Sequence, residues 1–324
     1  MQEVLQMHNS VLLELDEPLV LESGDTLPKP KAHFTTYGEL NRDKSNVVWV
    51  FHALTANSDP TEWWTGVVGG KEVFNPEEHY IICVNMLGSC YGSSEPQSFD
   101  FPFITIKDIV ALNQKVRDHL GINRVKFGIG GSMGGQQLLE WAVQEPDFFE
   151  TIVPIATNSA HSPWGIAFNE AQRMALQQPD LAKGVEAARA IAMLSYRHYQ
   201  TYQKTQLDTD GRQDEFSAGS YQRYQGEKLR KRFSPYSYWY LSKAMDSHNI
   251  GTKYGGLENA LKRIRSRAIV MGVDTDILFP SHEQAFIATH IENSSFHQLT
   301  SEYGHDGFLI EAEQITSILK NELE

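Results

Sequence analysis

The chain has 324 residues, 41% hydrophobic and 21% charged, enough for one large core or a core that carries an insertion. Its 41 acidic residues outweigh 28 basic ones for a formal net charge of −13, which argues against a protein that wraps nucleic acid or rests on an anionic membrane. Two cysteines, Cys83 and Cys90, make neither a disulfide framework nor a zinc spacing, and no apolar run reaches membrane-spanning length, so no metal site and no membrane span are expected.

The opening MQEVLQMHNS has neither a basic nor an apolar signal region, which makes a cytoplasmic location the expectation. Up to about residue 41, short β-prone runs are broken by Pro18, Gly24-Asp25 and Pro28-x-Pro30. They predict antiparallel strands at the edge of a sheet. Residues 46–53, NVVWVFHA, read as a buried strand that ends at His52-Ala53-Leu54-Thr55. His52 reads as a strand-end residue that orients the following loop, and Trp63-Trp64 and Gly69-Gly70 as packing for that loop. Residues 80–86, YIICVNM, form the next strand and open into small residues from Leu87 to Ser94. Cys90 lies there with no base beside it and reads as a packed thiol. Residues 105–120 make an amphipathic helix with an apolar face of Ile106, Ile109, Val110, Leu112, Val116 and Leu120, closed by Gly121.

The most informative stretch follows, RVKFGIGGSMGGQQLLEWA. An apolar run at 125–129 suits a short buried strand, and Leu138, Leu139, Trp141 and Ala142 recur at helical spacing. Between them stand Gly130, Gly131, Ser132, Met133, Gly134 and Gly135. A serine on so sharp a turn needs neighbours without bulk, and Gly130 and Gly134 sit where strand and helix would collide. Here the sequence resembles the nucleophile elbow of the α/β-hydrolase fold, which implies a mostly parallel central sheet covered by helices. The Met133 amide, at a helix N-terminus, is then one oxyanion donor, and the Leu54 amide is the candidate for the second.

Residues 150–156 read as another strand. From about 158 to 264 helix-like segments replace the alternation, at 166–177, 181–202, 220–232 and 237–246. This block reads as a helical cap inserted into the sheet domain, which divides the chain into a first core part (1–157), the cap (158–264) and a second core part (265–324). Alternation resumes with a strand at 268–273, a helix at 281–290, a strand at 295–299 and a terminal helix at 308–323.

A serine hydroxyl needs a base that titrates near neutrality, and an imidazole needs a carboxylate to fix its tautomer. The order in this fold is serine, acid, histidine, with acid and histidine in loops after late strands. Of 12 histidines, His305 alone lies between the last strand and the last helix. Asp276 is favoured as the acid over Asp274, because Leu278-Phe279-Pro280 beyond it would anchor its loop. Asp306, beside the base, reads either as a loop-capping residue or as one that faces substrate.

A closer resemblance is carried by His52-Ala53-Leu54-Thr55, Gly130-Gly131-Ser132-Met133-Gly134-Gly135, Phe168-Asn169-Glu170-Ala171-Gln172-Arg173, Tyr224-Gln225-Gly226-Glu227-Lys228, Asp276-Ile277-Leu278-Phe279-Pro280 and Gly304-His305-Asp306. In order, from about Tyr37 to the C-terminal helix, these resemble the homoserine O-acetyltransferase family. The resemblance implies acetyl transfer from acetyl-CoA, as co-substrate, to L-homoserine through an acylated Ser132, in methionine biosynthesis, with no permanently bound cofactor. It implies that Arg189, supported by Tyr196, holds the amino-acid carboxylate, that Asp306 holds the ammonium group, and that the chain forms a homodimer through its cap helices. Succinyl-CoA as donor, serine as acceptor, and hydrolysis by an esterase or thioesterase of the same fold stay open. A basic run, Arg223, Lys228, Arg230, Lys231 and Arg232, reads either as a CoA-phosphate contact or as a solvated or dimer surface.

Overall fold

The structure, a computed structural model, describes residues 8–323; the reading of the chain's start as free of a signal segment falls largely outside them. The ten described strands are β1 (His8–Glu14), β2 (Leu19–Val20), β3 (Thr26–Leu27), β4 (Lys31–Tyr37), β5 (Val47–Phe51), β6 (Tyr80–Val84), β7 (Val125–Gly131), β8 (Phe149–Ile155), β9 (Arg267–Val273) and β10 (Ser294–Leu299). Eight form one sheet in the order β1-β4-β6-β5-β7-β8-β9-β10, while β2 and β3 pair separately. The β1–β4 and β4–β6 pairs are antiparallel and the pairs from β6 to β10 are parallel. As the broken β-prone runs predict, the N-terminal segment forms antiparallel strands at one edge of the sheet, with β1 outermost and β4 next to it; β2 and β3 form a small sheet of their own instead.

All five residues of β5 are buried, and their alternation sorts them onto two faces. Val47, Trp49 and Phe51 join Trp141, Phe148 and Phe149 on one side; Val48 and Val50 join Ile129, Val153, Phe308 and Ile315 on the other. Burial on both faces is what turns these strands into continuous apolar runs.

The helices in chain order begin with α1 (Pro60–Trp63), α2 (Ile106–Leu120) and α3 (Met133–Gln144). Helix α2 opens on a capping box, in which Thr105 and Asp108 each satisfy the other's backbone amide. Between β8 and β9, which pair directly, lie α4 (Pro163–Leu176), α5 (Leu181–Tyr196), α6 (Tyr199–Thr205), α7 (Ser217–Arg230), α8 (Pro235–Asp246) and α9 (Leu257–Leu261). The stretch 158–264 thus contains six helices and contributes no strand to the main sheet. After β9 come α10 (Ser281–His290), a 3₁₀ turn (Gly304–Asp306), α11 (Gly307–Ile310) and α12 (Ala312–Leu323).

Two helices expected to be continuous are each divided. The 181–202 helix breaks at Arg197, whose backbone is extended (φ −109°, ψ 143°), and His198 caps α6 by accepting the Gln200 amide at Nδ1. Tertiary contacts decide the break: Thr201 donates to the Glu302 carbonyl and Lys204 pairs with the Glu302 carboxylate. The 308–323 helix breaks at Glu311 (ψ 43°). The Phe308 carbonyl, which a continuous helix would give to an amide four residues on, instead accepts the Trp64 indole N–H at 3.0 Å. Among the described residues no helix is long and apolar enough to cross a membrane.

Candidate active site

Ser132 stands between β7 and α3 with φ 57° and ψ −127°, a left-handed conformation for a residue that carries a side chain. The surroundings hold it there. Its amide donates to the Ile155 carbonyl at 3.0 Å, and its carbonyl accepts the Thr157 hydroxyl at 2.8 Å. A Cβ on Gly130 would lie 2.5 Å from the Gly134 carbonyl, and one on Gly134 would lie 2.1 Å from the Phe51 carbonyl. Strand and helix cross at the two positions where the sequence places glycines for that purpose.

The Ser132 hydroxyl donates to His305 Nε2 at 2.8 Å, and His305 Nδ1–H donates to Asp276 Oδ2 at 2.6 Å. All three side chains are buried. The other oxygen of Asp276 accepts the amides of Leu278 and Phe279 at 2.8 and 2.9 Å, so the loop beyond it does anchor the carboxylate. Asp274 does different work: its Oδ1 accepts the Ser301 amide at 3.0 Å and ties the Asp276 loop to the histidine loop. Phe279 stacks on the His305 ring at 5.0 Å, with Phe308 and Tyr196 at 5.3 and 5.7 Å. The imidazole is thus fixed by an acid behind, a hydroxyl in front and aromatic walls. This arrangement can move a proton between Ser132 and a second oxygen or sulfur nucleophile.

Two backbone amides near Ser132 are the candidates for an oxyanion site. Met133 is the first residue of α3, where backbone N–H groups precede the first intrahelical acceptor. Leu54 lines the cavity in front of Ser132, and its amide has no acceptor among the described residues. His52 orients this loop, as its strand-end position predicts. Its Nδ1–H donates to the Ala53 carbonyl at 2.9 Å and its Nε2 accepts the Met86 amide at 3.0 Å. Full burial holds its pKa down at about 4, so it is neutral.

The cavity measures about 540 Å³ and is lined by Ser132, His305, Leu54, Arg189, Tyr196 and Asp306, with Trp63, Lys228 and Arg232 further along its wall. Residues from both ends of the chain and from the inserted helices therefore share one space. Arg189 lies over the Tyr196 ring at 5.1 Å and has no carboxylate partner among the described residues. Burial raises the Tyr196 hydroxyl's pKa, so it stays protonated. Asp306 meets Arg197, with Nε to Oδ2 at 2.9 Å. Burial pushes the Asp306 pKa up, against the pull of Arg197, Arg189 and His305.

Several residues have roles that patterning leaves undecided. Within the basic run, Arg230 pairs with Glu186, Lys231 with Glu227, and Arg223 donates to Ser220, while Lys228 and Arg232 reach the cavity. Arg232 donates to the Thr55 carbonyl and the Tyr91 hydroxyl. Cys90 is packed against the Ser234 amide, its pKa raised by burial. Trp64 braces the loop from within the core, but Trp63 faces the cavity. Arg197 and Glu283 are missed altogether. Arg197 lies inside what reads as an uninterrupted helix, and Glu283 belongs to an ordinary first helical turn. Nothing in their local patterns points inward.

The family described as alpha/beta hydrolase fold matches residues 46–312. A homoserine O-acetyltransferase of Cyclobacterium marinum is 48% identical, with 94% of this chain and 92% of that protein covered. The crystal structure of a homoserine O-acetyltransferase from Bacillus anthracis superposes with a TM-score of 0.87 at 20% identity, with 97% and 98% covered. An acetylester hydrolase from Corynebacterium glutamicum superposes with a TM-score of 0.85 at 21% identity, with 97% and 95% covered. The last two likenesses establish a shared fold.

Proposed function

Because the chain belongs to the homoserine O-acetyltransferase family, built on the α/β-hydrolase fold, we propose that it moves an acetyl group from acetyl-CoA to the hydroxyl of L-homoserine. The reaction runs in two halves through Ser132. In the first, His305 Nε2 takes the hydroxyl proton as Ser132 Oγ attacks the thioester carbonyl. The Leu54 and Met133 amides receive the oxyanion, and CoA leaves with the proton returned by His305. In the second, His305 takes the proton of the homoserine hydroxyl as that oxygen attacks the acyl carbon, and returns it to Ser132 Oγ as the acyl–serine bond breaks. Asp276 stabilises the imidazolium in both halves. Acetyl-CoA enters as a co-substrate, and no permanently bound cofactor takes part.

The acceptor is a zwitterion. Arg189 offers a planar guanidinium to its carboxylate, with Tyr196 beneath as support, and Asp306 offers a carboxylate to its ammonium group. The observation that carries this reading is that one cavity holds the Ser132–His305 pair together with two opposite charges, Arg189 and Asp306. Hydrolysis would need neither charge. We propose further that the reaction belongs to methionine biosynthesis in the cytoplasm, and that the enzyme acts as a homodimer through its cap helices.

Intact-protein mass spectrometry after exposure to acetyl-CoA tests the scheme. The expected result is one acetyl adduct on Ser132, absent in Ser132→Ala, that homoserine discharges as O-acetylhomoserine. CoA release indifferent to homoserine, with free acetate as product, would sink the transferase reading.

A further inference from the structure

The two charges assigned to the acceptor are opposite, partly buried and lie in one cavity. Before substrate arrives, such a pair has every electrostatic reason to close on itself. It does not. Asp306 instead pairs with Arg197, at 2.9 Å, and Arg189 is left without a carboxylate partner among the described residues. Arg197 does not line the cavity, whereas Arg189 and Asp306 both do.

We propose that Arg197 is a positioning residue of the acceptor site: it holds the Asp306 carboxylate away from Arg189, so that the two charges meet the two ends of a zwitterion rather than each other. This rests on the acceptor reading given above. The geometry has three parts. The break between α5 and α6 falls on Arg197, and its extended backbone releases the side chain from the helix toward the histidine loop. Its guanidinium lies over the Tyr303 ring at 5.5 Å, which fixes it behind Asp306. Finally, the contact with Asp306 is an ion pair without hydrogen-bond alignment. The Arg197 Nε hydrogen is left without an acceptor, as is the buried Tyr202 hydroxyl beside the same group of charges. The carboxylate can therefore turn toward an incoming ammonium group without the loss of a formed hydrogen bond, and Arg197 still balances its charge.

With Arg197 gone, Arg189 is the remaining guanidinium facing Asp306. The two would pair across the cavity, and an acceptor would have to break that pair to enter. The effect is confined to the acceptor. The donor needs neither charge, so acylation of Ser132 should proceed.

The test compares wild type, Arg197→Met and Arg197→Lys with two acceptors, L-homoserine and 4-hydroxybutanoate, which keeps the hydroxyl and carboxylate but lacks the ammonium group. Ser132 acylation by acetyl-CoA is followed separately by intact mass. Arg197→Met is expected to acylate normally and to raise the KM of both acceptors about tenfold or more, that of 4-hydroxybutanoate at least as much as that of homoserine, because either must break the Arg189–Asp306 pair and only homoserine brings an ammonium group to the freed carboxylate. Arg197→Lys, which keeps a charge, is expected to recover most of the affinity for both. An unchanged homoserine KM in Arg197→Met overturns the proposal, as does an equal rise in Arg197→Lys. Should Arg197→Met fail to acylate, Arg197→Gln takes its place under the same two criteria. A wild-type protein that shows no acylation, or no preference for the amino acid, would instead overturn the function on which the proposal rests.

Discussion

Glu283, in the first turn of α10, sits close enough to the acid of the triad to feel its charge. Burial, with a smaller contribution from Asp276, pushes its carboxyl pKa up to about 7, although Asn158 donates to it at 3.1 Å. A raised pKa in the folded state means that the folded protein holds this proton where the unfolded chain has released it. The stabilisation is complete below about pH 4.5 and fades as pH climbs through about 7. Glu283→Gln keeps the amide contact and removes the titration. Its melting temperature relative to wild type is therefore expected to be higher at pH 8 than at pH 5; equal differences at the two pH values would refute this. Single residues differ in how far sequence exposes them. Ser132, Asp276 and His305 are readable because each stands at a fixed place in an alternation of strands, loops and helices. Arg189 and Tyr196 are readable only through family resemblance. Arg197 escapes both readings, since its importance lies in a helix break that no glycine or proline announces.

At the scale of elements, α5 carries Arg189 and is held between α4 and α7 by close backbone approach. A Cβ on Gly226 of α7 would lie 2.7 Å from the Glu186 carbonyl of α5. This gives a physical reason for glycine within the Tyr224–Lys228 motif. In an unconstrained helix interior, alanine in place of glycine gains about 1 kcal/mol. Here the added methyl must push two helices apart, and overpacking of that kind costs about 1–3 kcal/mol. Gly226→Ala is expected to lower stability in a urea melt, the reverse of the helix-propensity expectation; a rise would show that the helices separate freely. The element boundaries follow the same logic. The core strands were readable to within a residue or two because apolar runs between turn residues define them. The splits at Arg197 and Glu311 were not, because a distant carbonyl, that of Glu302, and a distant indole, that of Trp64, decide them.

At the scale of the whole molecule, the cap helices leave large apolar side chains in solvent: Trp164 is 54% exposed, Met174 66%, Leu194 56% and Tyr199 72%. Such side chains on neighbouring helices would be covered by a second copy in the proposed dimer. Light scattering at micromolar concentration is expected to give twice the 36.7 kDa chain mass, and a monomer would count against that assembly. The parallel run of the sheet and a cap over the strand ends at Ser132 were open to prediction from the alternation and its interruption; which inserted helices pack on one another depends on long-range contacts and was not. The same long reach has a bearing on biosynthesis. Ser132 and its proton acceptor are 173 positions apart, and the acceptor comes from the final turn before the last helices. A nascent polypeptide still attached to the ribosome can shape its serine bend long before His305 has been translated. A chain that stops short of His305 therefore carries the serine without the base that would activate it.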